Sequence, residues 1–177
     1  GKHLGLILTN NQTQILKNTF NLLITNALEQ PQVLVHRDYH SRNLMVTTEN
    51  SPGVIDFQDA VYGPITYDLA SLLKDCYISW DEDLIKGLCN EFIQESPFLQ
   101  EVKPADFMRW FDLMAAQRHM KAIGIFCRLN YRDAKPGYLN DIPRTMKYLT
   151  DTSLKYPELS DFAELLDQIQ PKLVTAS

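Results

Sequence analysis

The sequence predicts an α+β protein that is mainly α-helical. Three features carry this: an amphipathic stretch from Asn11 to Glu29, three short β-prone runs between Val33 and Phe57, and helical periodicity over most of the chain after Gly63-Pro64. In the first stretch Ile15, Leu16, Phe20, Leu23, Ile24, Ala27 and Leu28 recur at helical spacing with mostly polar residues between them, and Pro31 stops the helix. The β-prone runs are Val33–Val35, Leu44–Thr47 and Val54–Phe57. Polar turns and Pro52-Gly53 separate them, and the last two suggest a hairpin. Helices follow over about Asp68–Trp80, Asp83–Gln94, Pro104–Leu129, Ile142–Thr150 and Glu158–Ile169. Pro104 suits a first helical turn, where the N–H it lacks has no intrahelical partner, and Pro136-Gly137 and Pro157 punctuate the later helices. Neither a repeat nor a linker is visible, so one domain is expected.

Composition bounds the function classes. With 177 residues, 45% of them hydrophobic, the chain has enough apolar material for one substantial core. A net charge of -5 gives no general attraction for nucleic acid, so a bound nucleotide would depend on local groups or a metal. Cys76, Cys89 and Cys127 are odd in number and form no CxxC pair, which argues against a disulfide framework or zinc ribbon and for a reducing cytoplasm. No apolar run approaches the roughly 20 residues of a membrane span, and Lys2-His3 leads into too short an apolar stretch for a signal peptide. A soluble, cytoplasmic protein is expected.

The chemistry concentrates around the strands. His36-Arg37-Asp38-Tyr39-His40-Ser41-Arg42-Asn43 matches HRDxxxxN, and Val54-Ile55-Asp56-Phe57 supplies a DF pair downstream. Phosphoryl transfer needs a carboxylate to orient an attacking hydroxyl and accept its proton, and oxygen ligands to hold magnesium against the triphosphate. The candidate catalytic residues are Asp38, as the base, with His36 and His40 of the same loop; Asn43 and Asp56 are the candidate metal and nucleotide ligands. Taken singly, Asp38, Ser41 and Asn43 are also what a polar turn would use to satisfy its own backbone. The ordered pattern between two hydrophobic strands favours chemistry. His36 and His40 as a zinc pair is disfavoured, because HxxxH presents both rings to one metal on a helix and Val33-Leu34-Val35 points to a strand entering a loop.

On these residues the chain resembles the aminoglycoside-phosphotransferase and choline-kinase superfamily, which has a protein-kinase-like fold. Asp56-Phe57-Gln58 lacks the glycine of DFG, and His40 stands two places after Asp38 where protein kinases usually carry Lys. Both departures favour small-molecule kinases. The superfamily's Tyr-Asp-Leu-Ala stretch is matched by Tyr67-Asp68-Leu69-Ala70, and the resemblance implies that Asp68 supports the catalytic loop; a helix N-cap is its plainer role. Over VHRDYHSRNLM, GVIDFQDAVYGPITYDLASLLKDCYISW, QRHMKAIGIFCRLNYRD and KPGYL the chain is most similar to the bacterial anomeric kinases of N-acetylmuramate and N-acetylglucosamine, which serve cell-wall sugar recycling. That resemblance implies transfer of the ATP γ-phosphoryl group to a sugar C1 hydroxyl, with Mg2+, Asp38 as base, and Asn43 and Asp56 as metal ligands. It also implies that residues 1–177 are a C-terminal catalytic and substrate-binding lobe. The partner would be an N-terminal nucleotide-clamping lobe, since the residues before His36 hold no Gly-rich loop or VAIK-like lysine.

Substrate-binding candidates are Gln58, Asp59 and Tyr62, which follow the metal carboxylate and could meet sugar hydroxyls or stabilise the loop, and Arg118, Arg128 and Arg132. These arginines belong to a basic cluster with His119, Lys121 and Tyr131 that suits a lactyl carboxylate, although a solvated basic helix face is the more common explanation of such a cluster. Trp80 and Trp110 have apolar neighbours and are expected in the core rather than against a sugar ring. Two other classes stand: a kinase of aminoglycosides or amino alcohols, and a non-catalytic module built on a kinase lobe. The intact Asp38, Asn43 and Asp56 argue against the module.

Overall fold

The computed structural model describes residues 7–174, with side chains to residue 169. Lys2-His3 lies outside them. Among the described residues the elements run α1 (Asn10–Glu29), β1 (Gln32–Val35), β2 (Leu44–Met45), β3 (Gly53–Val54), β4 (Val61–Pro64), α2 (Tyr67–Leu73), α3 (Glu82–Glu95), α4 (Pro104–Asp133), α5 (Ile142–Lys155) and α6 (Ser160–Val174). The mainly helical α+β class is therefore observed. Thr9 and Gln12 start α1 with a reciprocal cap: each side-chain oxygen accepts from the other's backbone N–H, at 3.2 and 3.0 Å. Asp81 caps α3 by accepting from Asp83 N at 2.9 Å.

The chain forms two compact units, one spanning Asn26–Arg118, the other combining the residues up to Thr25 with those from His119 onward. Both boundaries fall inside helices, α1 and α4, so no Pro-rich or Gly-rich linker marks them where the sequence suggested one domain.

In the Asn26–Arg118 unit, β2 and β3 form the expected antiparallel hairpin, but with only two residues in each strand. The second pairing was not expected. β1 runs antiparallel to β4, with Val33 opposite Gly63 and Leu34 opposite Tyr62. Gly63-Pro64 reads as a turn, yet Pro64 sits at the end of the register, where the N–H it lacks is least needed. Gln30 fastens the start of this unit: its side-chain oxygen accepts from Thr66 N and Oγ1 at 3.3 and 2.6 Å, and its amide donates to Asn26 O at 3.0 Å.

Helix α2 ends at Leu73, seven residues short of the expected Trp80. The cause is Asp75, whose carboxylate accepts from Tyr77 N at 2.8 Å and offers the backbone a turn in place of helix. The core joins Phe107, Phe111, Met114 and Ala115 of α4 to Ile85 and Cys89 of α3 and Ala70 and Leu73 of α2. Burial pushes the Cys89 thiol up to about 12, so it packs as a small apolar group. Trp110 packs against this core as expected. Trp80 does not enter it; it is 39% exposed and donates its indole N–H to Leu72 O at 3.1 Å.

In the other unit α5 and α6 pack together, with Ile142, Met146, Leu149, Phe162, Leu165 and Leu166 buried. His119 stacks on Tyr148 with ring centroids 5.2 Å apart, and Phe126 on Tyr138 at 5.8 Å.

Gly63 is a close approach between β4 and β1. A Cβ there would stand 2.6 Å from Val35 Cγ2, and Val35 is the buried residue that enters the HRDxxxxN loop. Gly63→Ala is expected to lower stability by about 1–3 kcal/mol in urea denaturation. Adding Val35→Ala should recover part of that loss; strict additivity of the two changes would contradict the steric account.

Candidate active site

The HRDxxxxN segment connects β1 to β2, and Asp56 lies between β3 and β4. The loop is fixed from below by Asp68, in the first turn of α2: Oδ2 accepts from His36 N at 2.6 Å and Oδ1 from Arg37 N at 3.0 Å. Arg37 has φ 77, a costly conformation for a side-chain-bearing residue, and the two bonds to a carboxylate offset that strain. Its carbonyl accepts from Arg118 Nη1 at 2.8 Å, and the Arg118 guanidinium lies 4.6 Å from the centre of the Tyr67 ring. Arg37 Nη1 in turn donates to Asp59 O at 3.3 Å.

Two bonds converge on Ile55, the residue before Asp56. His36 Nε2 lies 2.9 Å from Ile55 O; a carbonyl only accepts, so Nε2 carries the proton. Ile55 N donates to Asn43 O at 3.2 Å. Asp56 itself sits at φ 68, so the chain leaves β3 in a left-handed turn. One of its carboxylate oxygens, Oδ1, accepts from Gln58 Nε2 at 2.6 Å.

Asn43 closes the other end. Its Nδ2 donates to Asp38 O at 2.9 Å, while its backbone N–H donates to His40 O at 2.9 Å and ends a short 3-10 turn over Ser41–Asn43. Asp38 is half-buried, and among the described residues nothing hydrogen-bonds its carboxylate. The His40 ring meets the Tyr77 ring edge-on at 5.3 Å. Burial lowers its pKa, with the negative charges of Asp75 and Asp38 opposing that and the Arg118 charge adding to it. His40 is accordingly neutral near pH 7.

Asp38, Asn43 and Asp56 thus lie on segments tied directly to one another. Gln58 belongs with them through Asp56. The Asp59 side chain is exposed, and Tyr62 is 78% exposed on β4. Arg128 and Arg132 belong to the other unit; the Arg132 fork is occupied by Asp133, at 2.7 and 3.0 Å. Among the described residues no three His, Cys, Asp or Glu side chains converge as a metal cage. Magnesium does not need one, since it takes one or two protein oxygens and completes its shell with phosphates and water. The amide oxygen of Asn43 and the second carboxylate oxygen of Asp56 are hard donors of that kind, and the residues fit the ion.

Asp75 is the residue that sequence reading missed. It is buried, and its Oδ2 accepts from Ser41 N at 2.9 Å. The available signal was a charged residue amid Leu72-Leu73 and Cys76-Tyr77, at a helical position where an unpaired carboxylate would be costly.

Residues 7–104, more than half of the chain, match the profile described as the phosphotransferase enzyme family (APH). The chain belongs to this family. It is 46% identical over 173 residues to an N-acetylmuramate/N-acetylglucosamine kinase of Pseudomonas putida, covering 96% of this chain and 51% of that protein. Proteins of the same name from Pseudomonas aeruginosa and Neisseria meningitidis serogroup B are 45% and 44% identical, over 93% and 95% of this chain and 49% and 51% of theirs. The chain therefore spans about half the length of these relatives. The APH match contains all of the β1–β4 segments and the residues gathered there. No helix among the described residues is long and apolar enough to cross a membrane.

Two measurements follow from this geometry. Asp68→Ala strands the His36 and Arg37 N–H groups and is expected to cost about 1–3 kcal/mol, with faster amide exchange at those two positions. His40 should titrate by NMR below the ordinary 6.5. Because the unfolded imidazole then takes its proton first, His40's contribution is complete above pH 6.5 and declines as pH falls from there toward the folded pKa. His40→Gln should flatten stability against pH in that window; an unchanged slope would contradict a neutral, desolvated His40.

Proposed function

We propose that this chain carries the acceptor side of an ATP-dependent sugar-kinase site, acting on the anomeric C1 hydroxyl of N-acetylmuramate or N-acetylglucosamine in the recycling of cell-wall sugars. The observation that carries the proposal is the linkage of Asp38, Asn43 and Asp56 through Ile55 and Asn43, which gathers one proton acceptor and two hard oxygen donors on bonded segments. The names of the relatives, at 44–46% identity, support the choice of sugar.

On this reading the Asp38 carboxylate accepts a hydrogen bond from the C1 hydroxyl, aiming an oxygen lone pair at the γ-phosphorus. As the new O–P bond forms, the bond to the β-phosphate oxygen breaks, its electron pair leaves with ADP, and the hydroxyl proton passes to Asp38. Asn43 and Asp56 would hold Mg2+, which when bound offsets the charge of the phosphate oxygens. Arg37 and His36 act through the backbone by keeping Asp38 and Asp56 in register. The nucleotide clamp is assigned to a further lobe of the protein that carries this chain. Gln58, occupied with Asp56, is read as a support of the metal carboxylate, whereas Asp59 and Tyr62 are left to meet the acceptor. Arg118, held against the catalytic loop and Tyr67, is read as loop support.

The test is Asp38→Ala in the full-length protein. Phosphorylation of N-acetylmuramate or N-acetylglucosamine should fall by about 10²–10⁴-fold in kcat with the fold retained. Near-normal kcat would remove Asp38 from the base role. A preference for an aminoglycoside or choline over both amino sugars, in a panel of acceptors, would overturn the substrate.

A further inference from the structure

We propose that Asp75 is a positioning residue that sets the metal-ligand end of the catalytic loop, as Asp68 sets its beginning. The inference rests on the phosphoryl-transfer reading above. Asp75 is 2% exposed, and a carboxylate so far from water persists only when its oxygens are satisfied. Both are: Oδ2 accepts from Ser41 N at 2.9 Å and Oδ1 from Tyr77 N at 2.8 Å.

The Tyr77 bond alone suffices to end α2. The Ser41 bond is not needed for that purpose, and it reaches across to the first residue of the 3-10 turn that delivers Asn43. The turn at Tyr77 also presents its ring to the same stretch of loop. The Arg42 guanidinium lies 3.6 Å from the ring centre, a cation–π contact, and the His40 ring meets it edge-on. Each residue from His40 to Arg42 is thus in contact with the Asp75–Tyr77 corner. Asn43 follows directly, with its N–H on His40 O and its amide on Asp38 O. Asp68, by contrast, holds only the residues before Asp38. The loop is suspended between two carboxylates of separate duty.

This division has a kinetic consequence that a merely structural Asp75 would not have. Loosening the Ser41–Asn43 turn displaces a magnesium ligand and leaves untouched the two Asp68 bonds that hold the residues before the base. In the full-length protein, Asp75→Asn keeps the shape but only one acceptor oxygen. Amide exchange measured without substrates should speed up at Ser41 while His36 and Arg37 stay protected. The Mg2+ concentration for half-maximal rate should rise by roughly 10–100-fold, and Mn2+ binding with a non-hydrolysable ATP analogue, read by electron paramagnetic resonance, should weaken in parallel. KM for the acceptor should change little. Lower thermal stability with unchanged Ser41 exchange and unchanged metal dependence would overturn the proposal. Should Asp75→Asn fail to fold, Tyr77→Leu removes the ring beneath Arg42 and His40 while leaving the buried carboxylate; it too should raise the Mg2+ requirement, and an unchanged requirement would overturn the proposal. Because exchange is read without substrate, an unchanged Ser41 rate rejects the positioning role whatever the acceptor. Failure of the parent protein to phosphorylate any hydroxyl rejects instead the kinase reading beneath it.

Discussion

The peptide of Ile55 is held from both sides, its carbonyl by His36 Nε2 and its N–H by the Asn43 carbonyl. On this clasp the rest of the site depends. Besides it, the loop carrying Asp38 and the turn carrying Asp56 are joined by the β1–β4 pair, by the Arg37 Nη1–Asp59 O bond and by a hairpin with two residues in each strand, which alone would be marginal in water. With it, the residue before Asp56 is fixed to both ends of the HRDxxxxN segment. The Asp38-to-Asp56 geometry is thereby set by short bonds between neighbours rather than by packing at a distance.

The clasp stands on strained backbone. Arg37 and Asp56 both occupy left-handed conformations that side-chain-bearing residues adopt at a cost of about 1–3 kcal/mol each. Bonds from backbone N–H groups to ionised carboxylates are of comparable size, about 1.5–3 kcal/mol each. Asp68 supplies two and Asp75 two more. The helical part of the Asn26–Arg118 unit can therefore be understood as a mount: α2 begins with one of these carboxylates and is stopped by the other, and its buried residues join the core built with α3 and α4. Sequence, local strain and candidate chemistry meet in that short helix.

Much of this was legible in the sequence because it rested on local pattern. Helical periodicity located the six α-helices found among the described residues, and HRDxxxxN with DF located the three residues that the structure links. What escaped depended on partners distant in the chain. The strand Val61–Pro64 reads as a turn until β1 is placed beside it. Asp75 looks like an interior helix residue until Ser41 approaches, and the early end of α2 is a consequence of the same carboxylate. Arg118 has the charge of a substrate ligand, and only the folded chain shows its guanidinium on the Arg37 carbonyl. The two-unit division has no compositional trace because it passes through the last turn of α1 and the middle of α4.

The central claim is that Asp38 faces the reacting hydroxyl while Asn43 and Asp56 face the metal. It is tested most directly by a crystal structure of the full-length protein with amino sugar, Mg2+ and a non-hydrolysable ATP analogue. The account predicts the sugar C1 oxygen within about 2.6–3.2 Å of an Asp38 carboxylate oxygen, with Asn43 and Asp56 coordinating the ion. A sugar bound with another hydroxyl at Asp38, or an ion coordinated without Asn43 and Asp56, would contradict it.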